Sequence, residues 1–282
     1  MNAIETLLAG LIDYAGLYPP AALDMSAAVR SHLNYRAGGR AFALGRFIVD
    51  AGRLGELSEA ADHAISTMRL SVIAGDASID AVEAALRQGF LVESIEIKCS
   101  EPLTICRICE RVPLRIERYI EIPVGAESCP AVDAIASVGA CAKLRMGGIV
   151  PEAIPPPDQV VQCLQILADR RVRFKATAGL HHPIRARHRL TYAPDSPCAR
   201  MHGFVNLLCA ATLVFSGEAA EAEEVLNEES PAAFRIERDC LAWRTHAWTV
   251  EQIRRIRREC FTSFGSCSFV EPIEDLEALG WL

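Results

Sequence analysis

Short apolar runs alternate with longer segments of helical period along most of the chain. The short runs are rich in β-branched and aromatic residues, as in VESIEIKC at 92–99 and RYIEIPV at 118–124. The longer segments repeat alanine, leucine, arginine and glutamate with a helical period. A strand followed by a helix is the repeating unit of parallel sheets, so the pattern predicts an α/β protein.

Eight of the apolar runs qualify as strands, with most intervals about 20–30 residues long, enough for one helix and two loops. They lie at 11–16, 44–51, 69–75 or one residue later, 92–99, 118–124, 140–147, 173–181 and 261–269. Periodicity does not distinguish a closed barrel from an open doubly wound sheet. The count of eight favours a (β/α)₈ TIM barrel that occupies residues 1–282 as one domain.

The interval from 183 to 260 is far longer than the others and is interpreted as an insertion between strands seven and eight. It contains an apolar helix in HGFVNLLCAATLVF, the acidic segment EAAEAEEVLNEES, a hairpin around FRIERDCLAWRTHAW and a helix that begins at Thr249. A last helix begins near Pro272, where acidic neighbours and proline typically mark a first turn, and it would close the barrel.

Composition narrows the class of protein. Apolar residues make up 51% of the chain and charged residues 23%, enough apolar material for a large core. The net charge of −7 disfavours nucleic acids and anionic membranes as partners, since both are polyanions. The arginines at 254, 255, 257 and 258 are expected on a solvated helix face. A homo-oligomer is left open.

The chain shows no export or membrane signal. The apolar patch at its start is interrupted by Glu5 and Asp13 and has no basic flank, and no apolar run reaches the ~18–20 residues of a membrane span. A cytoplasmic location is therefore expected. The eleven cysteines are irregularly spaced, and the pair Cys106 and Cys109 lacks further zinc ligands, so we expect free thiols that pack as small hydrophobes, without zinc.

Lysine is rare in this chain, and its placement is informative. The only three lysines, Lys98, Lys143 and Lys175, all fall in predicted strands. Arginine replaces lysine well as a surface cation but not where an amine must lose its proton. Burial and nearby cations would favour the neutral amine, so we expect a catalytic nucleophile among these lysines. The alternative is that they are cations that bind a ligand.

Strand six combines an amine with an anion-binding group. Lys143 and Arg145 are two residues apart and therefore share one face of the strand. Gly147 and Gly148 then open the following loop. If the shared face points inward, Lys143 is a catalytic residue, and Arg145 with the two glycines binds the substrate.

Strand seven carries the second amine on the same kind of face. Lys175, Thr177 and Gly179 alternate along this strand, and His181 and His182 follow at its end. If both faces point inward, Lys143 and Lys175 are neighbouring catalytic residues, and Thr177 and Gly179 bind the substrate.

The segment AKLRMGG, followed after a helix by VRFKATAGL, resembles the paired lysine strands of class I aldolases of the deoxyribose-phosphate aldolase family. The loop SFGSCS is similar to that family's phosphate-binding loop, and the resemblance covers residues 140–182 and 262–268. It implies that Lys143 forms a Schiff base and that Lys175 lowers its pKa. It also implies that Gly265, Ser266 and Ser268 bind a substrate phosphate.

Carboxylates and histidines complete the candidate site. Barrel enzymes place functional groups at strand ends, where Asp13, Glu96 and Glu121 fall, with Lys98 near Glu96, so all four are candidate catalytic residues and Asp50 a weaker one. Four of the seven histidines lie within 22 residues, and we expect His181 to act as a general acid or base and His182 and His202 to bind substrate. The fourth is His188. Adjacent histidines on an extended segment point in opposite directions, which disfavours a shared metal ion.

Three functions remain open on the sequence alone. The leading one is a lyase of aldolase type that acts on a small anionic carbonyl compound through a lysine Schiff base and needs no cofactor. The second is a metal-dependent hydrolase or lyase that uses the histidines after strand seven. The third is a barrel that binds a small anion without catalysis.

Overall fold

A computed structural model describes all 282 residues, which form thirteen strands. In chain order these are β1 (Ile12–Tyr14), β2 (Leu44–Asp50), β3 (Leu70–Ile73), β4 (Val92–Lys98), β5 (Glu117–Ile122), β6 (Cys141–Arg145), β7 (Phe174–Thr177), β8 (Ala186–Arg189), β9 (Cys198–Met201), β10 (Phe234–Ile236), β11 (Cys240–Trp243), β12 (His246–Thr249) and β13 (Phe261–Ser266).

Eight of these strands close into a barrel in the order β1-β13-β7-β6-β5-β4-β3-β2, and every pairing in it is parallel. Each of the eight predicted strands corresponds to one of them. The predicted (β/α)₈ TIM barrel is therefore confirmed.

Helices follow the strands and cover the barrel. They are α1 (Ala3–Leu8), α2 (Met25–Ala37), α3 (Leu54–Ala61), α4 (Ile79–Arg87), α5 (Pro102–Arg111), α6 (Cys129–Ser137), α7 (Pro157–Asp169), α8 (Phe204–Phe215), α9 (Ala222–Asn227), α10 (Val250–Glu259) and α11 (Val270–Ala278). The apolar stripes of these helices face the sheet, as in α4, where Ile79, Val82 and Ala85 are buried. No helix is both long enough and apolar enough to cross a membrane.

The interval 183–260 joins β7 to β13 through several elements. The strands β8 and β9 form an antiparallel pair, and β10, β11 and β12 form a three-stranded antiparallel sheet where one hairpin is predicted. Helix α8 is buried along 204–214 and packs against α7 and α9, so it belongs to the helical layer around the barrel.

Helix α10 begins at the predicted residue, but one of its arginines is not on the solvated face where it was expected. Thr249 caps it by accepting a hydrogen bond from Gln252 N. Arg254, Arg255 and Arg258 are exposed, as expected for a solvated face. Arg257 instead turns inward and donates to the carbonyls of Phe261, Thr262 and Ala9. The prediction of a fully solvated arginine face is wrong at that position because the helix lies against the start of β13.

The cysteines pack as small hydrophobes only in part. All eleven are free, and six of them are buried: Cys109, Cys141, Cys163, Cys209, Cys260 and Cys267. The other five are partly or fully exposed. Buried free cysteine behaves as a small hydrophobe, and the burial raises the pKa of the Cys109 thiol to about 11.

Two glycines allow the loops after β6 and β7 to touch. Gly179 has a φ of +70°, and a Cβ added there would lie 2.8 Å from Gly147 Cα. A Cβ added at Gly147 would in turn lie 2.9 Å from Gly179 Cα. No other residue fits this contact without moving the backbone.

We expect Gly179→Ala to lower the free energy of unfolding by about 2–4 kcal/mol, because it adds a backbone clash to a left-handed conformation. Urea denaturation measures the loss. Gly217→Ala is the matched control, since Gly217 has a φ of +84° and open space around an added Cβ. It should cost about 1–2 kcal/mol from strain alone. Equal losses in the two variants would contradict the close loop contact.

Candidate active site

A cavity of about 470 Å³ opens at the C-terminal end of the barrel, the end where barrel enzymes place their active sites. Loops that follow β1, β6, β7 and β13 surround it. Nine residues predicted for the site from the sequence line this cavity: Glu96, Lys143, Arg145, Gly147, Gly148, Thr177, Gly179, His181 and Gly265.

Lys143 projects from β6 to the bottom of this cavity. Its side chain is 6% exposed, and its Nζ lies 2.7 Å from Glu96 Oε2 and 2.9 Å from Glu121 Oε2. Lys143 is therefore ion-paired to both carboxylates, and it faces the open space of the cavity.

Lys175 lies beside Lys143 in the sheet register, but it is completely buried and does not line the cavity. Its Nζ donates to Asp13 Oδ2 at 2.6 Å and to Glu96 Oε1 at 2.6 Å. The Tyr119 ring lies 5.3 Å from the same nitrogen, within the range of a cation–π contact. Lys175 is thus a fixed cation beneath the cavity.

Small side chains support this ionic cluster, and the sequence interpretation missed them. Ser71 donates to Glu96 Oε1 at 2.7 Å, and Ser94 donates to Ser71. Ser263 donates to Asp13 Oδ2 at 2.8 Å. The alternation of side chains along a strand could have identified Ser94, since it lies two residues before Glu96 on β4 and therefore shares its inward face.

Gly45 makes room for the first carboxylate of the cluster. A Cβ at this position would lie 2.2 Å from Asp13 Oδ1. The same oxygen accepts a hydrogen bond from the Arg46 backbone N–H at 2.7 Å. The start of β2 therefore holds Asp13 in place through its backbone, a role that the sequence pattern did not reveal.

The pKa shifts show which groups carry charge. Burial favours the neutral amine of Lys175, but Asp13 and Glu96 outweigh it, so the pKa of Lys175 is raised. Burial likewise disfavours the Glu96 carboxylate, yet Lys143 and Lys175 hold the pKa of Glu96 well below its ordinary value. The pKa of Glu121 is also lowered, since Lys143 and Arg145 outweigh its burial. The expectation that burial and nearby cations favour a neutral amine is wrong for Lys175, because its nearest charges are carboxylates.

These pKa shifts define the pH range in which the cluster stabilises the fold. The lowered pKa of Glu96 stabilises the folded state above its ordinary value of 4.5, and this contribution is lost as the pH falls. The raised pKa of Lys175 stabilises the folded state below its ordinary value of 10.5, and this contribution is lost as the pH rises through the folded-state pKa.

Two other predicted cations lie at or beyond the rim. Arg145 is half-exposed, lines the cavity and donates from Nε to Glu121 Oε1 at 3.0 Å. Lys98 is exposed at the end of β4 and lines a neighbouring groove instead. The structure therefore does not bring Lys98 together with the two other lysines.

His181 is a buried cation at the cavity wall. Its Nδ1 lies 3.2 Å from Ser266 Oγ and 3.3 Å from Glu271 Oε2. Burial opposes its charge, but the contacts with Cys267 and Glu271 raise the pKa of His181 to about 9. At neutral pH it is therefore an acid and a positive charge, and it is not a base.

The remaining predicted histidines do not line the cavity. The Nδ1 of His182 lies 2.6 Å from Asp275 Oδ2, and its ring stacks on that of His188 at 3.4 Å. His202 is fully buried, with Nε2 2.8 Å from the Pro155 carbonyl. Burial lowers the pKa of His202 to about 4, so it is neutral. His202 therefore packs inside the protein, whereas His182 lines an adjoining cavity of about 280 Å³ that shares His181 with the main one.

The serines in the loop after β13 make hydrogen-bonding contacts with other residues of the protein. Ser266 is buried and contacts His181, while Ser268 Oγ accepts a hydrogen bond from Glu271 N at the start of α11. Only Gly265 of the three predicted phosphate-binding residues lines the cavity. The two serine hydroxyls already have protein partners.

Tyr18 is a cavity residue that the candidate set omitted. Its hydroxyl donates to Asp50 Oδ2 at 2.8 Å, which places Asp50 behind the phenol. Burial and the Asp50 carboxylate raise the pKa of Tyr18, so the phenol remains a neutral donor. The sequence feature that could have indicated Tyr18 is its position in the YPP segment, in the loop after β1.

Metal-ligand geometry occurs elsewhere in the molecule. The one group of three potential ligand atoms within 4.8 Å of one another is Glu237, Asp239 and Cys240, at the turn between β10 and β11. None of the histidines after β7 belongs to such a group.

No protein-family model matches the sequence, and no curated protein matches it. Fold and site together define a TIM barrel with a buried cluster of lysines and carboxylates below an open cavity, a fold that is often enzymatic.

We expect Lys175→Met to lower the free energy of unfolding by about 3–5 kcal/mol at pH 7, because it leaves buried carboxylates without their counter-charge. The cost should shrink as the pH falls, since protonated acids need no counter-charge. Urea denaturation across pH measures both effects. Lys98→Met, at the exposed lysine, should change stability by about 0.5 kcal/mol or less. A similar loss of unfolding free energy in both variants would show that Lys175 contributes no more to stability than an exposed lysine.

Proposed function

We propose that this chain is a lyase of aldolase type that forms a Schiff base between Lys143 and a small anionic carbonyl compound. The observation that carries the proposal is the asymmetry of the two inner lysines. Lys143 lines the cavity, whereas Lys175 is fully buried below it and makes two short hydrogen bonds there. A substrate that enters the cavity therefore meets only one of these amines.

The carboxylates beside Lys143 support proton transfer. Nucleophilic attack requires the neutral amine, and Glu96 and Glu121 are acceptors at 2.7 and 2.9 Å. The ammonium of Lys143 is a main cause of their low pKa values. Once its proton is transferred, that cause disappears, and a protonated carboxyl group is better tolerated. The coupling lowers the cost of generating the nucleophile.

The chemical steps then balance within the cavity. The neutral Nζ adds to the substrate carbonyl carbon and gives a carbinolamine. The carboxyl group that took the Lys143 proton returns it to the carbinolamine hydroxyl, which leaves as water and yields the iminium. In the cleavage direction a carboxylate removes the proton of the β-hydroxyl, the bond between the α and β carbons breaks, and its electrons pass to the iminium to give an enamine and a second carbonyl compound. The enamine is then protonated and hydrolysed, which frees the amine. Lys175 remains a fixed positive charge that orients Glu96 throughout, and acts as a positioning residue.

Two cations at the cavity suit an anionic substrate. Arg145 lies at the rim on the same strand as Lys143, and His181, in the loop after the neighbouring strand β7, is protonated at neutral pH. Apolar side chains complete the walls, including Ile48, Ile73 and Ile149. A small carbonyl compound with one anionic group fits this combination of a charged bottom and apolar sides.

The resemblance to deoxyribose-phosphate aldolases agrees with this role for Lys143. It is less applicable to the phosphate loop, because neither Ser266 nor Ser268 lines the cavity. We therefore assign anion binding mainly to Arg145 and His181. The metal-dependent alternative has no support in the arrangement of the histidines.

Borohydride reduction should trap an adduct on Lys143. We expect a mass increase on the Lys143 peptide with at least one probe among pyruvate, acetaldehyde and dihydroxyacetone phosphate, since reduction fixes an imine. Lys143→Arg should abolish the adduct, while Lys98→Arg, at the exposed strand lysine, should retain it. Absence of any adduct across the probes, or an adduct on Lys98 alone, would overturn the Schiff-base proposal and leave a barrel that binds anions without catalysis.

Anion affinity should fall as the pH rises through about 9, where His181 loses its charge. The probe is the hydroxy analogue of the trapped carbonyl compound, which cannot form an imine, titrated by calorimetry. We expect affinity to drop about tenfold between pH 7 and 10, equivalent to about 1.4 kcal/mol. His181→Gln should show the low affinity at both pH values. A variant with an unchanged pH dependence would exclude His181 as the cause.

A further inference from the structure

A second cavity, of about 570 Å³, lies at the N-terminal end of the barrel, opposite the candidate active site. It lies where the strands begin, and we call it the floor cavity. Its cationic lining consists of Arg46, Arg69, Arg173, Arg254, Arg257 and Arg258.

The floor cavity is rich in arginine within an acidic protein. Six guanidinium groups face it against two carboxylates, Asp13 and Glu117, while the whole chain has a net charge of −7. The Asp13 charge is already paired with Lys175 on the other side of the barrel floor. Carboxylates around the lining pair with five of these arginines: Glu93 with Arg46 and Arg69, Glu117 with Arg46 and Arg173, Glu251 with Arg254, and Glu259 with Arg258. Arg257 is the one arginine of the six without an ion pair.

Two inward-facing arginines of this cavity differ in a way that indicates a missing partner. Arg46 is ion-paired to Glu93 at 3.0 Å and to Glu117 at 2.7 Å. Arg257 donates only to backbone carbonyls, and its buried Nε has no hydrogen-bond partner. Burial lowers the pKa of Arg257 to about 10, whereas carboxylates that outweigh burial raise the pKa of Arg46. The charge of Arg257 thus lacks a counter-ion.

We infer that the floor cavity is a second binding site, for a small multivalent oxyanion of the phosphate class. Guanidinium groups bind such oxyanions through paired, charge-assisted hydrogen bonds, and several of them can surround one phosphate group.

The other cationic groups are available to such a ligand. Arg173 pairs with Glu117 at 3.1 Å and Arg258 pairs with Glu259 at 2.6 Å, and both arginine side chains are more than a third exposed. Exposed ion pairs of this kind are weak. A phosphate group that enters the cavity can therefore compete for these arginines without breaking the core.

The test is calorimetric titration of the protein with inorganic phosphate and with phenyl phosphate at constant ionic strength. We expect saturable binding of both probes, since the phosphate group is the shared feature. Arg173→Gln and Arg258→Gln should each weaken it about tenfold. These arginines are partly exposed, so the variants should fold, which thermal unfolding checks. Arg257→Gln is a poorer choice because Arg257 holds three backbone carbonyls.

Two control variants locate the binding. Arg87→Gln removes an exposed arginine on α4 that does not line the floor cavity, and it should leave affinity unchanged. Arg145→Gln weakens the candidate active site, and it should also leave phosphate binding at the floor cavity intact. Binding of free phosphate alone would restrict the site to the small ion. Absence of saturable binding, or its loss in Arg145→Gln with retention in Arg173→Gln and Arg258→Gln, would overturn the inference.

Discussion

The Glu96 carboxylate, held between two lysine ammonium groups inside the barrel, is the interaction on which the site depends. One of its oxygens receives Lys175 and the other lies against Lys143. A charge without a partner in such an interior costs several kcal/mol, so each member requires the others. Asp13 and Glu121 extend the cluster at either end, and Arg145 completes it with three carboxylates balanced by three cations.

Within this charge-balanced cluster, Lys175 and Lys143 have different roles. Lys175 is enclosed by short hydrogen bonds and retains its charge, which fixes the orientation of Glu96. Lys143 occupies the next strand in the same register but reaches open space. The difference arises from depth within the barrel, because the cavity opens above one amine and not above the other. Chemistry at Lys143 then takes place beside proton acceptors whose affinity depends on its own charge.

Much of the fold could be predicted from the sequence, since eight strand-like runs at regular intervals leave few alternatives to a barrel. The proximity of Lys143 and Lys175 followed from parity on adjacent strands. Their electrostatic environment did not follow, because Asp13 lies 162 residues from Lys175 in the chain. Sequence spacing gives the face of a strand on which a residue lies, but it does not show how deeply the side chain is buried or which charged residue it contacts.

The histidines show the same limit. His181 and His182 are adjacent in sequence, yet one contributes to the cavity and the other packs against Asp275 and His188. His202 is buried against a backbone carbonyl, a contact that depends on how the long interval folds back on the barrel. Gly45 was overlooked because its importance lies in the space left for Asp13, which only three-dimensional packing reveals.

The charge state of the buried lysine can be measured directly. The chain has only three lysines, so ¹⁵N-lysine labelling gives three side-chain nitrogen signals, and Lys175→Met assigns one of them. We expect the Lys175 nitrogen to keep the chemical shift of an ammonium group at pH 10.5, where an ordinary lysine is half neutral, because Asp13 and Glu96 raise its pKa. A neutral amine at Lys175 at that pH would contradict the charge-balanced cluster and the distinct roles of the two lysines.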